Sequence, residues 1–306
     1  MKVAIVGTGG VGGYFGGHMA RTGTDVRFLA RGAHLKALKA DGLTVLSDVA
    51  PIVDLKIQVT DDPAEIGPVD AVLLAVKLAD TDGAIAQMKS LIGPKTAVAS
   101  LQNGIDAVER MSAAFGPERV LGGVCHIAIA IERPGVLRHT GTMARITLGE
   151  LNGAKTERLT ALVDACTRAG LNIVESSDIN RAIWEKFVFL SSMSGITALA
   201  RSAIGPIRDD PDGRLFIERA LSESTAVARA QGIALADDHA EKAVAFMMQL
   251  PATMKASMLH DLERGAKLEL PWLSGAIVRL GRKLGVPVPT HETIVAALKP
   301  HANGCG

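Results

Sequence analysis

The chain opens with a short apolar run that leads directly into a glycine-rich turn. Residues 1–6 (MKVAIV) are apolar at nearly every position, which is typical of a strand buried in a parallel sheet. Residues 7–12 (GTGGVG) follow, and residues 13–21 can form a helix that ends at Thr22 and Gly23. This order predicts a strand, a tight turn and a helix. The N-terminus of the helix lies beside the end of the strand, where it can face a ligand.

Apolar runs of strand length recur through the first half of the chain. They predict strands at residues 25–30, 69–76, 96–101, 120–131, 135–139 and 146–149, with a helix at 79–91. Residues that can contact a ligand follow four strand ends, at Gly7, Arg31, Lys77 and Asn103. Because ligands of an open parallel sheet bind outside the carboxyl ends of its strands, we expect these positions to share one crevice.

Beyond residue 176 the pattern becomes helical and is punctuated by proline. It predicts helices at residues 179–201, 213–231, 237–250, 273–284 and 291–298. The sequence therefore predicts an α/β protein with an N-terminal, Rossmann-type, doubly wound sheet in residues 1–177. An all-helical C-terminal domain is expected in residues 178–306.

The glycine-rich turn has the G-x-G-x-x-G spacing of a dinucleotide-binding loop. The first glycine permits the turn, the second lets the backbone approach a pyrophosphate, and the third lets the helix pack on the strand. The helix N-terminus adds N–H donors and a partial positive charge. We therefore assign the phosphates of a dinucleotide to six residues: Gly7, Thr8, Gly9, Gly10, Val11 and Gly12.

The end of the second predicted strand bears on which dinucleotide binds. A carboxylate is expected there to bind the ribose 2′-hydroxyl of NAD, but the chain has Ala30 and Arg31. A guanidinium suits the 2′-phosphate of NADP, so this position favours NADPH. The alternative is that Arg31 is an ordinary surface arginine; Arg27 and Lys36 are weaker candidates.

Composition and charge exclude several other classes of function. The net charge is +1 and no basic run is present, so we expect no nucleic-acid partner. The three cysteines (Cys125, Cys166 and Cys305) lack metal-ligand spacing, and we predict neither a metal site nor a disulfide framework. The start reads as a strand and the longest apolar stretch is too short to span a bilayer, so we expect a cytoplasmic protein without membrane contact.

Lys186 is the strongest candidate for chemistry in the helical half. It lies in an apolar stretch at residues 182–190 (AIWEKFVFL). Burial lowers the pKa of a lysine and suits it to proton transfer. The alternative is that its ammonium reaches solvent while its stem covers apolar surface.

These motifs, taken together and in order, resemble the ketopantoate reductase (2-dehydropantoate 2-reductase) family over nearly the full length of the chain. The matching features, beside the glycine-rich turn, are Arg31, AVK at residues 75–77, QNG at 102–104, WEK at 184–186, Ser257 with Met258, Asp261, Glu269, GVP at 285–287 and Pro289 with Thr290.

The resemblance implies that NADPH gives hydride to the ketone of a small 2-oxo acid, in the family's case 2-dehydropantoate on the route to pantothenate. It implies that Lys186 protonates or polarises the carbonyl oxygen and that Glu269 contacts the substrate hydroxyl and orients the lysine. It places Lys77 and Asn103 by the cofactor and substrate and gives Ser257 a part in substrate binding. A homodimer is an open expectation.

The chain departs from the family pattern at two positions. In the family, asparagines four and eight residues after the lysine help bind the substrate. These positions share one helix face with Lys186, so we expect Leu190 and Ser194, which this chain has there, to line the substrate pocket. Each lost polar partner costs about 1–3 kcal/mol. The chain is then either a paralogue acting on another 2-oxo acid or a ketopantoate reductase with a rearranged pocket.

Two further hypotheses compete with a 2-oxo acid reductase. One is a 3-hydroxy acid or 6-phosphogluconate-type dehydrogenase, which shares the Rossmann-plus-helices plan and a helical lysine. The other is a non-catalytic NADP-sensing protein. The presence of both Lys186 and Glu269 argues against a sensor, which needs no proton donor.

Overall fold

The computed structural model describes residues 1–304, so Cys305 and Gly306 lie outside the described residues. The chain divides into two compact units, Met1–Ala182 and Ile183–Gly306, and the division falls inside a long helix, Ile179–Ala200. In the described part of the chain, no helix is long and apolar enough to cross a membrane.

The first unit is built on a ten-stranded mixed sheet. The main path of the sheet runs in the order β4-β3-β9-β8-β7-β6-β1-β2-β5, and β10 pairs with β9. The strands are β1 (Lys2–Val6), β2 (Asp25–Leu29), β3 (Leu43–Leu46), β4 (Ile52–Leu55), β5 (Gln58–Thr60), β6 (Val69–Leu74), β7 (Ile92–Ser100), β8 (Val120–Arg133), β9 (Val136–Glu150) and β10 (Asn172–Glu175).

Helices cover both faces of this sheet, as a Rossmann-like fold requires. Along β1, Val3 and Ile5 join one apolar cluster with Phe15, while Ala4 and Val6 join a second cluster on the other face. The period of two residues in a strand explains this division. The helices are α1 (Gly10–Arg21), α2 (Gly32–Ala40), α3 (Thr81–Met88), α4 (Asp106–Phe115) and α5 (Glu157–Arg168).

The structure confirms the predicted fold class and corrects two of the predicted elements. The strands expected at residues 135–139 and 146–149 are one continuous strand, β9, which pairs antiparallel with β8 on both sides of a register shift: Ile129 lies opposite His139, and His126 lies opposite Arg145. The helix expected at residues 79–91 is α3 flanked by two 3₁₀ turns, Leu78–Asp80 and Lys89–Leu91.

The second unit is helical throughout its regular structure. Helix α6 (Ile179–Ala200) begins in the first unit; residues 191–198 are all buried, as expected of a helix at the centre of a bundle. The others are α7 (Ile204–Arg208), α8 (Pro211–Ala230), α9 (His239–Gln249), α10 (Ser257–Glu263), α11 (Ser274–Leu284) and α12 (Pro289–Leu298).

A chain of buried polar groups connects three of these helices. The Oγ atoms of Ser191 and Ser192 on α6 lie 3.4 and 3.3 Å from Ser224 Oγ on α8. Ser224 Oγ lies 2.8 Å from His291 Nε2 on α12, and burial lowers the pKa of His291. The backbone N–H groups of Thr290 and His291 donate to the Glu223 carboxylate at 2.9 and 3.0 Å. Because an unsatisfied polar group is costly in a core, this network restricts how the helices can pack.

A second buried histidine lies in the first unit, on α1. His18 is 2% exposed, and its ring packs 4.6 Å from that of Tyr14, the single tyrosine of the chain. Burial, reinforced by the nearby charge of Arg21, lowers the pKa of His18 from 6.5 to about 4. The folded state therefore holds His18 neutral at pH values where the unfolded chain protonates it, and this stability is lost as the pH falls from 6.5 to about 4.

We predict that His18→Phe removes part of the acid sensitivity of the first unit while keeping a ring beside Tyr14. Between about pH 7.5 and about pH 5, the wild type should lose about 2 kcal/mol more unfolding free energy than the variant. Urea unfolding followed by far-UV circular dichroism measures both. Both tryptophans, Trp184 and Trp272, lie in the second unit, so their fluorescence controls for its separate unfolding. Equal losses in the two proteins would contradict the assignment.

Candidate functional site

The four predicted ligand-contacting positions follow four strands that are neighbours in the sheet. Strands β7, β6, β1 and β2 lie side by side and parallel. Asn103, Lys77, Gly7 and Arg31 come after their carboxyl ends in that order. The topology therefore brings these positions to one edge of the first unit, as the sequence pattern predicted.

Gly7 makes the turn that leaves β1. Its φ of +98° lies in the region that favours glycine. A Cβ there would also lie 2.8 Å from the Val76 nitrogen and 2.9 Å from the Ala75 carbonyl carbon. The turn therefore brings the loop against the segment that follows β6, and a side chain at this position has no room.

Gly12 and Gly9 lie in opposite environments, one closely packed and one open. A Cβ on Gly12 would lie 2.2 Å from the Gly7 carbonyl oxygen and 2.7 Å from Ile5 Cγ2, so this glycine permits close packing of α1 on β1. A Cβ on Gly9 would meet no described atom within 4 Å. Gly9 therefore faces open space, where a backbone must be free to approach a ligand.

The N-terminus of α1 fits the phosphates of a dinucleotide. Gly9 is its N-cap, and within the described part of the chain no side chain caps this end and no acidic residue lies in its first turn. The positive end of the helix dipole is therefore not neutralised there. Val11 packs partly against the core, and its backbone lies in the first turn of the helix.

Thr8 anchors the loop to the end of β2. Its N–H and its hydroxyl both donate to the Leu29 carbonyl oxygen, at 3.0 and 2.8 Å. Thr8 is 2% exposed, so its side chain is part of the scaffold. Gly10 packs close to the Ile129 carbonyl of β8, 3.0 Å from an added Cβ. The loop is thereby held to the end of β2 through Thr8 and packs against β8 through Gly10.

Arg31 is the N-cap of α2 and its side chain is 82% exposed. Its guanidinium forms a 2.9 Å ion pair with Asp80, from the 3₁₀ turn that follows Lys77. Surface ion pairs of this kind contribute only about 0–1 kcal/mol, so a phosphate can compete for the guanidinium. The sequence does not identify Asp80 as this partner, because no local pattern marks a residue 49 positions from Arg31.

Gln102 connects the two loops that carry Lys77 and Asn103. Its amide nitrogen donates to the Val76 carbonyl and to Thr81 Oγ1, both at 2.9 Å. Lys77 itself is exposed and Asn103 is half-buried. The QNG motif marks Gln102 in the sequence, and the structure gives it a scaffold role beside the two predicted contacts.

In the second unit, Lys186 lies half-buried on α6. Trp184 and Phe187, 7% and 1% exposed, pack edge to face at 5.4 Å on either side of it in sequence. Their burial anchors this part of α6 to the core. Lys186 is thereby presented from a rigid helix rather than a loop.

Glu269 and Ser257 occupy different environments in the same unit. Glu269 is 7% exposed. Its backbone carbonyl oxygen accepts hydrogen bonds from the N–H groups of Trp272 and Leu273, at 3.0 and 3.1 Å, and these bonds begin the turn that follows it. A buried carboxylate requires a hydrogen-bonding or positively charged partner. Ser257 is exposed and is the first residue of α10.

The two positions that depart from the family pattern differ in burial. Leu190 is half-buried, so part of its apolar side chain is accessible. Ser194 is fully buried, and its Oγ has no hydrogen-bond partner among residues 1–304. Ser191 and Ser192 also approach the Val188 carbonyl, at 3.3 and 2.9 Å, besides Ser224. These neighbouring serines are thus engaged within the second unit.

Two family models match the chain. One, described as ketopantoate reductase PanE/ApbA, matches residues 3–153, and one described as its C terminal matches residues 178–302. The chain is 33% identical over 304 residues to an uncharacterized oxidoreductase, YkpB, of Bacillus subtilis, covering 98% of each. It is 32% identical to a 2-dehydropantoate 2-reductase of Mesorhizobium japonicum, covering 100% of this chain and 99% of the relative.

Solved structures share the fold over the same length. A PanE/ApbA family ketopantoate reductase from Ralstonia eutropha superposes with a TM-score of 0.90 at 30% identity, covering 99% of this chain and 98% of that one. A D-mandelate dehydrogenase solved with NADH and anilino(oxo)acetate has a TM-score of 0.88 at 22% identity, covering 99% and 98% of the two chains. At that identity the second likeness shows a common fold.

We predict that Gly9→Ala and Gly12→Ala fail for different reasons. Gly9→Ala should fold normally, with a thermal midpoint within about 2 °C of wild type. Its methyl group fills the open space beside α1, so the Kd for NADPH should rise at least about tenfold. Gly12→Ala should lose about 1–3 kcal/mol of stability, because its methyl group meets the Gly7 carbonyl.

Differential scanning calorimetry without ligand and isothermal titration with NADPH separate these two effects. Unchanged NADPH affinity in the Gly9→Ala protein would show that the phosphates bind elsewhere.

Proposed function

The chain belongs to the ketopantoate reductase PanE/ApbA family, and we propose that it reduces a 2-oxo acid to a 2-hydroxy acid with NADPH. The family consists of oxidoreductases that use a nicotinamide cofactor. The first candidate substrate is 2-dehydropantoate, which the relative from Mesorhizobium japonicum is named for. The product would be pantoate.

The observation that carries the proposal is Lys186, half-buried on a helix that Trp184 and Phe187 fix to the core. Reduction of a ketone places negative charge on the carbonyl oxygen. An ammonium group stabilises that charge more in the transition state than in the ground state, which is the condition for catalysis. Lys186 would then donate its proton to the oxygen as the alcohol forms.

The first unit would hold the cofactor. Gly9 and the first turn of α1 would bind the pyrophosphate of NADPH. Arg31 would bind its 2′-phosphate. When bound, NADPH would supply a hydride from its nicotinamide ring to the carbonyl carbon and would be released as NADP⁺. Lys77 and Asn103 follow neighbouring strand ends and would contact the cofactor and the substrate.

The buried carboxylate of Glu269 would orient Lys186 and contact a substrate hydroxyl, and Ser257 would bind the substrate. These roles come from the family resemblance, and the burial of Glu269 agrees with a constrained carboxylate. Both residues lie in the same unit as Lys186.

A second candidate substrate is a more apolar 2-oxo acid. Leu190 offers accessible apolar surface one helical turn from Lys186, where an asparagine would hydrogen-bond to pantoate. Ser194 is fully buried, and Ser191 and Ser192 are engaged with Ser224. The related fold of a D-mandelate dehydrogenase is compatible with an aromatic substrate.

A substrate panel tests the proposal. NADPH oxidation would be followed with ketopantoate beside straight, branched and aromatic 2-oxo acids. The highest kcat/KM with ketopantoate supports the first candidate. A higher kcat/KM with a more apolar branched or aromatic 2-oxo acid supports the second. NADPH binding without turnover of any 2-oxo acid would refute the proposal and favour a sensor.

We predict that Lys186→Met reduces kcat at least about 1,000-fold, because the transition-state charge loses its proton donor and its cation. The substitution keeps the length of the side chain, and the Kd for NADPH should change less than about threefold. Lys242→Met on α9, which removes an exposed lysine paired with Asp238 at 2.9 Å, is the matched control. A kcat near that of the wild type would exclude Lys186 from catalysis.

We predict that Arg31→Ala weakens NADPH about 10- to 100-fold, the usual loss for a charged hydrogen bond, and leaves NADH binding nearly unchanged. Asp80→Asn should strengthen NADPH binding, because it removes both the competing partner of Arg31 and a negative charge. Arg214→Ala on α8, whose guanidinium pairs with Glu218 at 3.1 Å, is the matched control. Titration of each variant with NADPH and with NADH gives the two dissociation constants. Equal losses of affinity for NADPH and NADH in Arg31→Ala would overturn the 2′-phosphate role of Arg31.

A further inference from the structure

His34 connects the glycine-rich loop to a distant turn of the first unit. It lies half-buried on α2, and its Nε2 is 2.7 Å from the Thr8 carbonyl oxygen. The backbone N–H of Gly135, in the turn between β8 and β9, donates to its Nδ1 at 3.1 Å. One imidazole therefore joins two backbone segments that are separated by more than a hundred residues.

The two partners determine which ring nitrogen carries the proton. A backbone N–H can only donate, so Nδ1 must present its lone pair to Gly135. A carbonyl can only accept, so Nε2 must carry the hydrogen that it donates to Thr8. Burial lowers the pKa of His34, which agrees with this neutral form.

The bond to Thr8 determines the direction of the next backbone donor. In a trans peptide the carbonyl of one residue and the N–H of the next point in opposite directions within one rigid plane. The Thr8 carbonyl shares such a plane with the N–H of Gly9, the N-cap of α1. Holding the Thr8 carbonyl on His34 therefore aims the Gly9 N–H away from α2.

The rest of Thr8 cannot set this plane alone. Its N–H and hydroxyl both bond to Leu29, which fixes the peptide plane before Thr8 rather than the plane after it. The plane after it leads to Gly9, a residue with wide conformational freedom. His34 supplies the restraint at that point.

We propose that His34 is a positioning residue that orients the Gly9 N–H toward the pyrophosphate of the nicotinamide cofactor. The inference rests on the proposed cofactor site at the N-terminus of α1. Because His34 acts through the loop, its loss should weaken cofactor binding and leave the chemical step intact.

The test compares His34→Ala with His34→Gln, whose amide can accept from Gly135 and donate to Thr8. Isothermal titration of the purified full chain with NADPH, without substrate, gives Kd, and calorimetry gives the thermal midpoint. We expect His34→Ala to raise Kd about tenfold and His34→Gln to restore it to within about threefold. At saturating NADPH, kcat should stay within about twofold in both. Lys39→Ala, an exposed position in the last turn of the same helix, is the matched control.

Each outcome bears on the inference. A thermal midpoint that falls in His34→Ala while Kd is unchanged would show a purely structural histidine and overturn it. Equal loss of affinity in the alanine and glutamine variants would also overturn it, because the hydrogen bonds would then not be the cause. A wild-type protein that binds no NADPH would refute the proposed function itself, and this result is separate from any effect of the variants.

Discussion

The close approach of α1 to β1 is the constraint on which the first unit depends. No side chain fits at Gly12, where a Cβ would lie 2.2 Å from the Gly7 carbonyl, or at Gly16, where it would lie 2.7 Å from Ile5 and Phe28. The helix therefore packs backbone against strand, and its N-terminus falls at the edge of the sheet where β7, β6, β1 and β2 end. A larger residue at either glycine would displace the helix, and with it the site for the phosphates.

The second unit uses a different means to the same end of rigidity. Its central helix, α6, is buried all round over residues 191–198, and the serines there hydrogen-bond within a polar network that reaches His291. Such a network fixes the rotation of α6 about its axis, because a rotated helix would leave hydroxyls unpaired. Lys186 precedes this segment on the same helix. The candidate binding groups of the first unit are thus largely backbone groups at strand ends. Those of the second unit include side chains on a restrained helix.

The sequence predicted those parts of the molecule that local pattern determines. The strand, turn and helix of residues 1–21 follow from apolar runs and glycine spacing, and the order of the motifs identified the family correctly. The prediction of two strands in place of β9 is wrong because pairing with β8 on both sides of the polar middle continues the strand through it, and no local pattern reveals that pairing. His34 and Asp80 were missed because their partners lie far along the chain. Periodicity placed Ser194 on the face of Lys186, but its complete burial depends on packing that periodicity does not contain.

Direct transfer of hydride from the cofactor to the substrate carbon is the central claim, and isotope labelling tests it most directly. The protein would be incubated with NADPH carrying deuterium at both C4 positions and with each 2-oxo acid that it turns over. We expect a 2-hydroxy acid product with deuterium bound to C2, detected by mass spectrometry. A product without deuterium, or no product from any 2-oxo acid, would contradict it.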